Sequence, residues 1–147
     1  MKAHGLRVTA PPAWDVRIFR RTADVATVER TFPIVHAANF PLPARRGDYG
    51  SGAVEIMGPT NVMVALVEHD PSAAATALFS NRGMPRVHAD DFSPRALQRT
   101  LRGQSGVQYF FNEAGRAFCL YIVLGSHARR RRLVEEASRL VASMAIQ

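Results

Sequence analysis

Val107-Gln108-Tyr109-Phe110-Phe111-Asn112-Glu113-Ala114-Gly115-Arg116-Ala117-Phe118-Cys119-Leu120-Tyr121-Ile122-Val123-Leu124 contains two apolar runs around one polar joint. Val107 to Asn112 and Arg116 to Leu124 are rich in aromatic and β-branched residues, which suit a pleated surface. Between them, Asn112-Glu113-Ala114-Gly115 reads as a type I turn with glycine in the left-handed position, so the stretch is an antiparallel hairpin. Gly125-Ser126 then ends the strand, and Ser126 is a helix cap. Beyond it Leu133, Ala137, Leu140, Val141 and Met144 recur at helical spacing, one apolar stripe that must lie on the sheet.

Upstream, short strands predominate. His4 to Thr9 reads as a strand stopped by Pro11-Pro12, Trp14 to Arg21 as a second and Thr31 to Ala37 as a third. From His36 to Gly52 the chain is dominated by breakers, and so long an irregular segment suggests a functional loop. Ala53 to Met57 fits a strand or a helical turn, and Gly58-Pro59-Thr60-Asn61 a turn. Val62 to Glu68 is apolar on both faces, as a central strand requires. Asp70-Pro71-Ser72 opens an expected helix running to Leu78-Phe79. Ser93-Pro94 opens another across Ala96-Leu97 and Leu101. The sum is a single α+β domain spanning residues 1–147, a central antiparallel β-sheet flanked by helices.

Composition narrows the function classes. The 147 residues are 47% hydrophobic and 21% charged, the balance of a globular chain. One cysteine, Cys119, excludes an internal disulfide and cannot build a zinc site alone; within its apolar run it is expected as a buried hydrophobe. No stretch reaches the roughly eighteen apolar residues of a membrane span, and Met1 to Pro12 has no signal-peptide core. A cytoplasmic protein without membrane insertion is expected.

The net charge of +7 is unevenly spread. Residues 1–75 hold eight basic against seven acidic side chains, residues 76–147 eleven against five. Lys2 is the only lysine, and the bias toward Arg, Ala and Val is that of a GC-rich genome, so position matters more than abundance. Arg129, Arg130, Arg131 and Arg132 project about 100° apart around a first helical turn, where cations oppose the macrodipole by roughly 0.3–1 kcal/mol each. They suggest an anionic partner; the plainer reading pairs Arg131 with Glu135 and Arg132 with Glu136. Arg45 and Arg46, in a loop with Gly47, Gly50 and Gly52, form a second candidate anion or partner site, although the lysine and hydroxyl of a P-loop are missing.

Glu68 and Asp70 share a strand face, and Glu55 is placed to approach them as a small-ligand or acid–base cluster. The five histidines are scattered, and no nucleophile elbow, dinucleotide fingerprint or metal-ligand spacing occurs. No cofactor, metal or catalytic residue is therefore expected. The leading expectation is a non-catalytic binding module for another protein or a second copy of itself, with nucleic acid or another polyanion as the alternative partner.

Pro11-Pro12-Ala13-Trp14 after an opening strand, Val62-Met63-Val64-Ala65-Leu66, and Gly115-Arg116-Phe118 in a hairpin feeding a final helix together resemble the PsbP-like α/β/α sandwich family. The tracts His36 to Pro41, Gly50 to Glu55 and Arg116 to His127 also resemble an actinobacterial branch. The resemblance implies helices on both sides of an antiparallel sheet and a binding role. Ala13 replaces the family's glycine before the tryptophan, and no binding motif of known members matches.

Overall fold

The computed structural model describes residues 1–21 and 31–147. Its core is a five-stranded antiparallel sheet of β3 (Asp15–Phe19), β4 (Ile34–Ala38), β5 (Val62–His69), β6 (Ser105–Glu113) and β7 (Arg116–Leu124), in the order β3-β4-β5-β7-β6. The α+β class, the central position of β5 and the closing hairpin stand as the sequence implies. A second small sheet joins β1 (Lys2–Ala3), β2 (Leu6–Arg7) and β8 (Ala145–Ile146), tying the two ends of the described chain together.

The hairpin is tighter than expected. Glu113 pairs with Arg116, leaving only Ala114 and Gly115 as the loop. Both have positive φ, 53° and 74°, so the turn has the mirror-image form whose twist matches its strands. His4 (φ 53°) and Gly5 (φ 76°) repeat this arrangement as the turn between β1 and β2, so the expected strand from His4 to Thr9 shortens to β2.

One face of the sheet presents Val35, Ala37, Val64, Leu66, Leu120 and Ile122, on which α1 (Arg130–Ala142) packs with Leu133, Val134, Ala137, Leu140 and Val141. Each buried Val, Leu or Ile among them contributes roughly 1.5–3 kcal/mol by leaving water. The opposite face presents Ile34, Met63, Ala65, Tyr121 and Val123. There the cover is the irregular 39–57 segment, through Leu42, Ala53 and Val54, with Leu97 and Leu101 packed beside it.

The two helices expected between β5 and β6 do not form. Asp70 caps as read, accepting from the Ser72 amide at 2.9 Å, but only the 3-10 turns Pro71–Ala75 and Ala77–Phe79 follow. Of these residues only Phe79 is buried, so no apolar stripe holds a longer helix. Ser93 instead exchanges backbone hydrogen bonds with Gly106, and Asn81 and Gly83 pair with Asn112. This long connection thereby blunts the outer edge of β6 at both ends. Among the described residues no helix is long and apolar enough to cross a membrane.

Candidate functional site

A recess of about 210 Å³ opens where the long loop stands away from the 97–104 segment over the sheet. Its apolar wall is Val54, Leu97, Tyr121 and Val123, and Tyr49, Ser51, Glu55 and Arg99 are polar groups around it. The loop is pinned on both sides of this opening. Gly50 and Gly52 take φ 92° and 94°, and a side chain at Gly52 would strike the Arg45 carbonyl at 2.5 Å. Across the gap, Tyr121 accepts from the Gln98 amide through its hydroxyl at 2.8 Å, and Gln104 Nε2 donates to the Val54 carbonyl at 2.7 Å. That carbonyl fixes which end of the Gln104 amide is nitrogen. Gln104 Oε1, closed to solvent, has no hydrogen-bond partner among the described residues.

Of the three carboxylates read as a cluster, only Glu55 reaches this recess. It accepts from the Gly52 amide at 2.5 Å and faces Arg99 at 3.6 Å. Glu68 lies on the helix-covered side, where Arg116 grips both its oxygens, at 2.6 and 3.0 Å. Asp70 is the cap of the following turn. β5 ends at His69, which leaves Asp70 outside the strand, and His69 itself points to the other face, where Tyr49 Oη lies 3.2 Å from its Nε2. Among the described residues no group of three His, Cys, Asp or Glu could hold a metal.

The loop arginines behave differently from each other. Arg45 is exposed, whereas Arg46 turns inward and donates from Nε to Nδ1 of fully buried His36 at 2.9 Å. Since Nδ1 accepts, Nε2 carries the proton and donates to the Asp48 carbonyl at 2.7 Å. Burial, reinforced by the Arg46 and Arg21 charges, pushes the His36 pKa down to about 4 against the opposing pull of the Asp48 carbonyl. Arg46 thus supports the loop from within. Cys119 is fully buried as expected, and burial pushes its thiol up to about 12.

The arginine run lies at the start of α1, with Arg129 as the cap residue and Arg130 to Arg132 in the first turn. Ser126 caps only the preceding turn, accepting from the Arg129 amide at 3.3 Å, so the helix begins later than its serine suggests. Arg130 lies on the sheet side and donates to the His127 carbonyl at 3.1 Å; the other three are exposed. The expected pairs to Glu135 and Glu136 do not form: Glu135 faces Arg139 at 3.9 Å, and among the described residues no carboxylate pairs with Arg129 to Arg132. The shallow hollow lined by Ala128 to Arg132 shares no residue with the recess under the loop, so the two candidate regions do not meet.

The recess was not readable in advance, since its walls come from residues as distant as Ser51, Leu97 and Tyr121. Only the length of the irregular loop signalled it.

No family model, curated protein or solved structure matches this chain.

Proposed function

We propose that the protein is a non-catalytic interaction module whose recess under the long loop receives an anchoring side chain of a protein partner. The observation that carries this reading is the recess itself, an apolar hollow rimmed by Glu55 and Arg99. At about 210 Å³ it exceeds the roughly 150 Å³ cavity that admits a benzene ring, so it suits one large side chain better than an extended ligand. An aromatic or aliphatic anchor in a pocket, ringed by polar contacts, is how interfaces concentrate their energy. The resemblance to PsbP-like binding domains, which we retain as a proposal, agrees with this role.

The test titrates N-acetylated amides of tryptophan, tyrosine, leucine and aspartate into the protein. The apolar three are expected to saturate a single site and the aspartate to leave it unmoved; equal behaviour of all four would remove the reading.

A second reading rests on the arginine turn. Four adjacent arginines without a carboxylate partner among the described residues, on a chain of net charge +7, favour a nucleic acid or other polyanion. It requires retention on heparin at low salt that is lost when Arg129 to Arg132 become alanine.

A further inference from the structure

On the opposite side of the molecule, a groove of about 410 Å³ runs between α1 and the 84–88 segment. Its floor is Val141, Met144, Val87 and Met84, with Pro85 and Ala142 at its sides. Arg86, His88 and Ser138 are its polar lining, and none of its lining residues is acidic. The groove is held open by construction. Ser138 Oγ donates to the Val87 carbonyl at 3.4 Å, and the following turn is anchored by Tyr109, whose hydroxyl donates to Asp91 at 2.7 Å and accepts from the His88 amide at 3.3 Å. Asp91 of that turn is thereby engaged by Tyr109, and Asp90 beside it is exposed and outside the groove lining. Arg86 is exposed, and among the described residues no carboxylate pairs with it.

We infer that this groove binds a small amphipathic monocarboxylate, its hydrocarbon chain on the Met84–Val87–Val141–Met144 floor and its carboxylate at Arg86. Three features converge on that class. The volume lies within the roughly 300–1,000 Å³ span of small-molecule sites. Two flexible thioethers, Met84 and Met144, conform to an unbranched chain as rigid branched residues do not. The charge at the mouth is of one sign, and a guanidinium presents a planar fork that matches a carboxylate with two parallel hydrogen bonds. A simple inorganic anion would leave the apolar floor uncovered, and an uncharged lipid would leave Arg86 without a partner. This site shares no residue with the recess under the loop, so either can fail alone.

The experiment uses octanoate, 1-octanol and acetate as probes, titrated into the protein carrying labelled methionine methyl groups. Octanoate is expected to shift the Met84 and Met144 methyls with saturation, 1-octanol to bind at least tenfold more weakly, and acetate to leave them unmoved. Arg86→Met should bring octanoate to the affinity of 1-octanol without altering the latter. Ala142→Trp, a change at an exposed helical position, should abolish both. Equal affinity for octanoate and 1-octanol would overturn the inference, as would an unchanged octanoate affinity in Arg86→Met or the absence of shifts at these methyls. A concentration-dependent dimer that shifts the same methyls without any probe would assign the groove to a second copy and equally overturn it.

Discussion

Arg116 holds Glu68 by both carboxylate oxygens, Nη2 to Oε1 at 2.6 Å and Nε to Oε2 at 3.0 Å, in a setting that leaves the two side chains 17% and 5% exposed. The same guanidinium donates to the carbonyls of His4, Gly5 and Gln147 at 3.2, 3.4 and 3.0 Å, and its carbon lies 5.2 Å from the centre of the Phe118 ring. One side chain of the hairpin therefore joins the large sheet to the small one and both to the end of the described chain.

Removing one partner of such a pair leaves a buried charge uncompensated, which costs about 3–5 kcal/mol. Glu68→Gln and Arg116→Met are both expected in that range in urea denaturation. Only Arg116→Met should also speed amide exchange in Lys2–Arg7 and Ala145–Ile146, because it alone releases the three carbonyls. Equal exchange in both variants would show that the small sheet does not depend on this contact.

Stability should fall as the solution is acidified, through His36. Its folded pKa is about 4 against an ordinary 6.5, so between these values the unfolded chain binds a proton that the native state refuses. The contribution is full above pH 6.5 and declines as pH drops toward 4, by about 3 kcal/mol in total. Burial lowers the pKa of His69 as well, adding in the same direction. Denaturation midpoints measured across this window should show the slope in the wild type and a shallower one in His36→Gln.

Ala114 occupies a left-handed conformation at φ 53° that glycine adopts without penalty. Ala114→Gly is expected to stabilise the protein by about 1 kcal/mol, and Gly115→Ala to destabilise it by a similar amount. A side chain added at Gly115 would meet no atom within 4 Å, so the cost there is one of backbone conformation alone. Thermal unfolding of the two variants gives shifts of opposite sign.

Gly125 tests packing instead. A Cβ there would lie 1.8 Å from the Gly58 carbonyl oxygen, and the Gly125 amide donates to the Asn61 carbonyl at 2.9 Å. Gly125→Ala must push the 58–61 turn off the end of β7. A loss of several kcal/mol, larger than that of Gly115→Ala, is expected by the same unfolding measurement.

The legible parts of the fold were those whose burial pattern is written in consecutive residues. Val62 to Val67, apolar on both faces, announced a central strand, and the stripe from Leu133 to Met144 announced a helix on one face. The Ala-rich 70–79 segment has helical propensity but little to bury, so tertiary context reduced it to two short turns. His4, the expected start of a strand, lies in a turn through a backbone angle that no side-chain pattern reports. The candidate site suffered most from the same limitation. Arg45 and Arg46 read alike, yet only the second finds a buried histidine to donate to, and that pairing depends on β4 lying beneath the loop. Glu68 and Asp70 read as sharing a strand face that Glu55 could approach, yet Glu55 lies at the loop recess, Glu68 on the helix-covered face and Asp70 in a cap.

The recess under the long loop is the proposed binding pocket. The most direct measurement is amide chemical-shift mapping with N-acetyltryptophanamide in the wild type and in Ser51→Trp, which places a bulky ring at the recess. Saturable shifts concentrated at Val54, Glu55, Gln98, Tyr121 and Val123 are expected in the wild type and their loss in the filled variant. Shifts centred on Arg129 to Arg132, shifts that survive the filling, or none at all would contradict it.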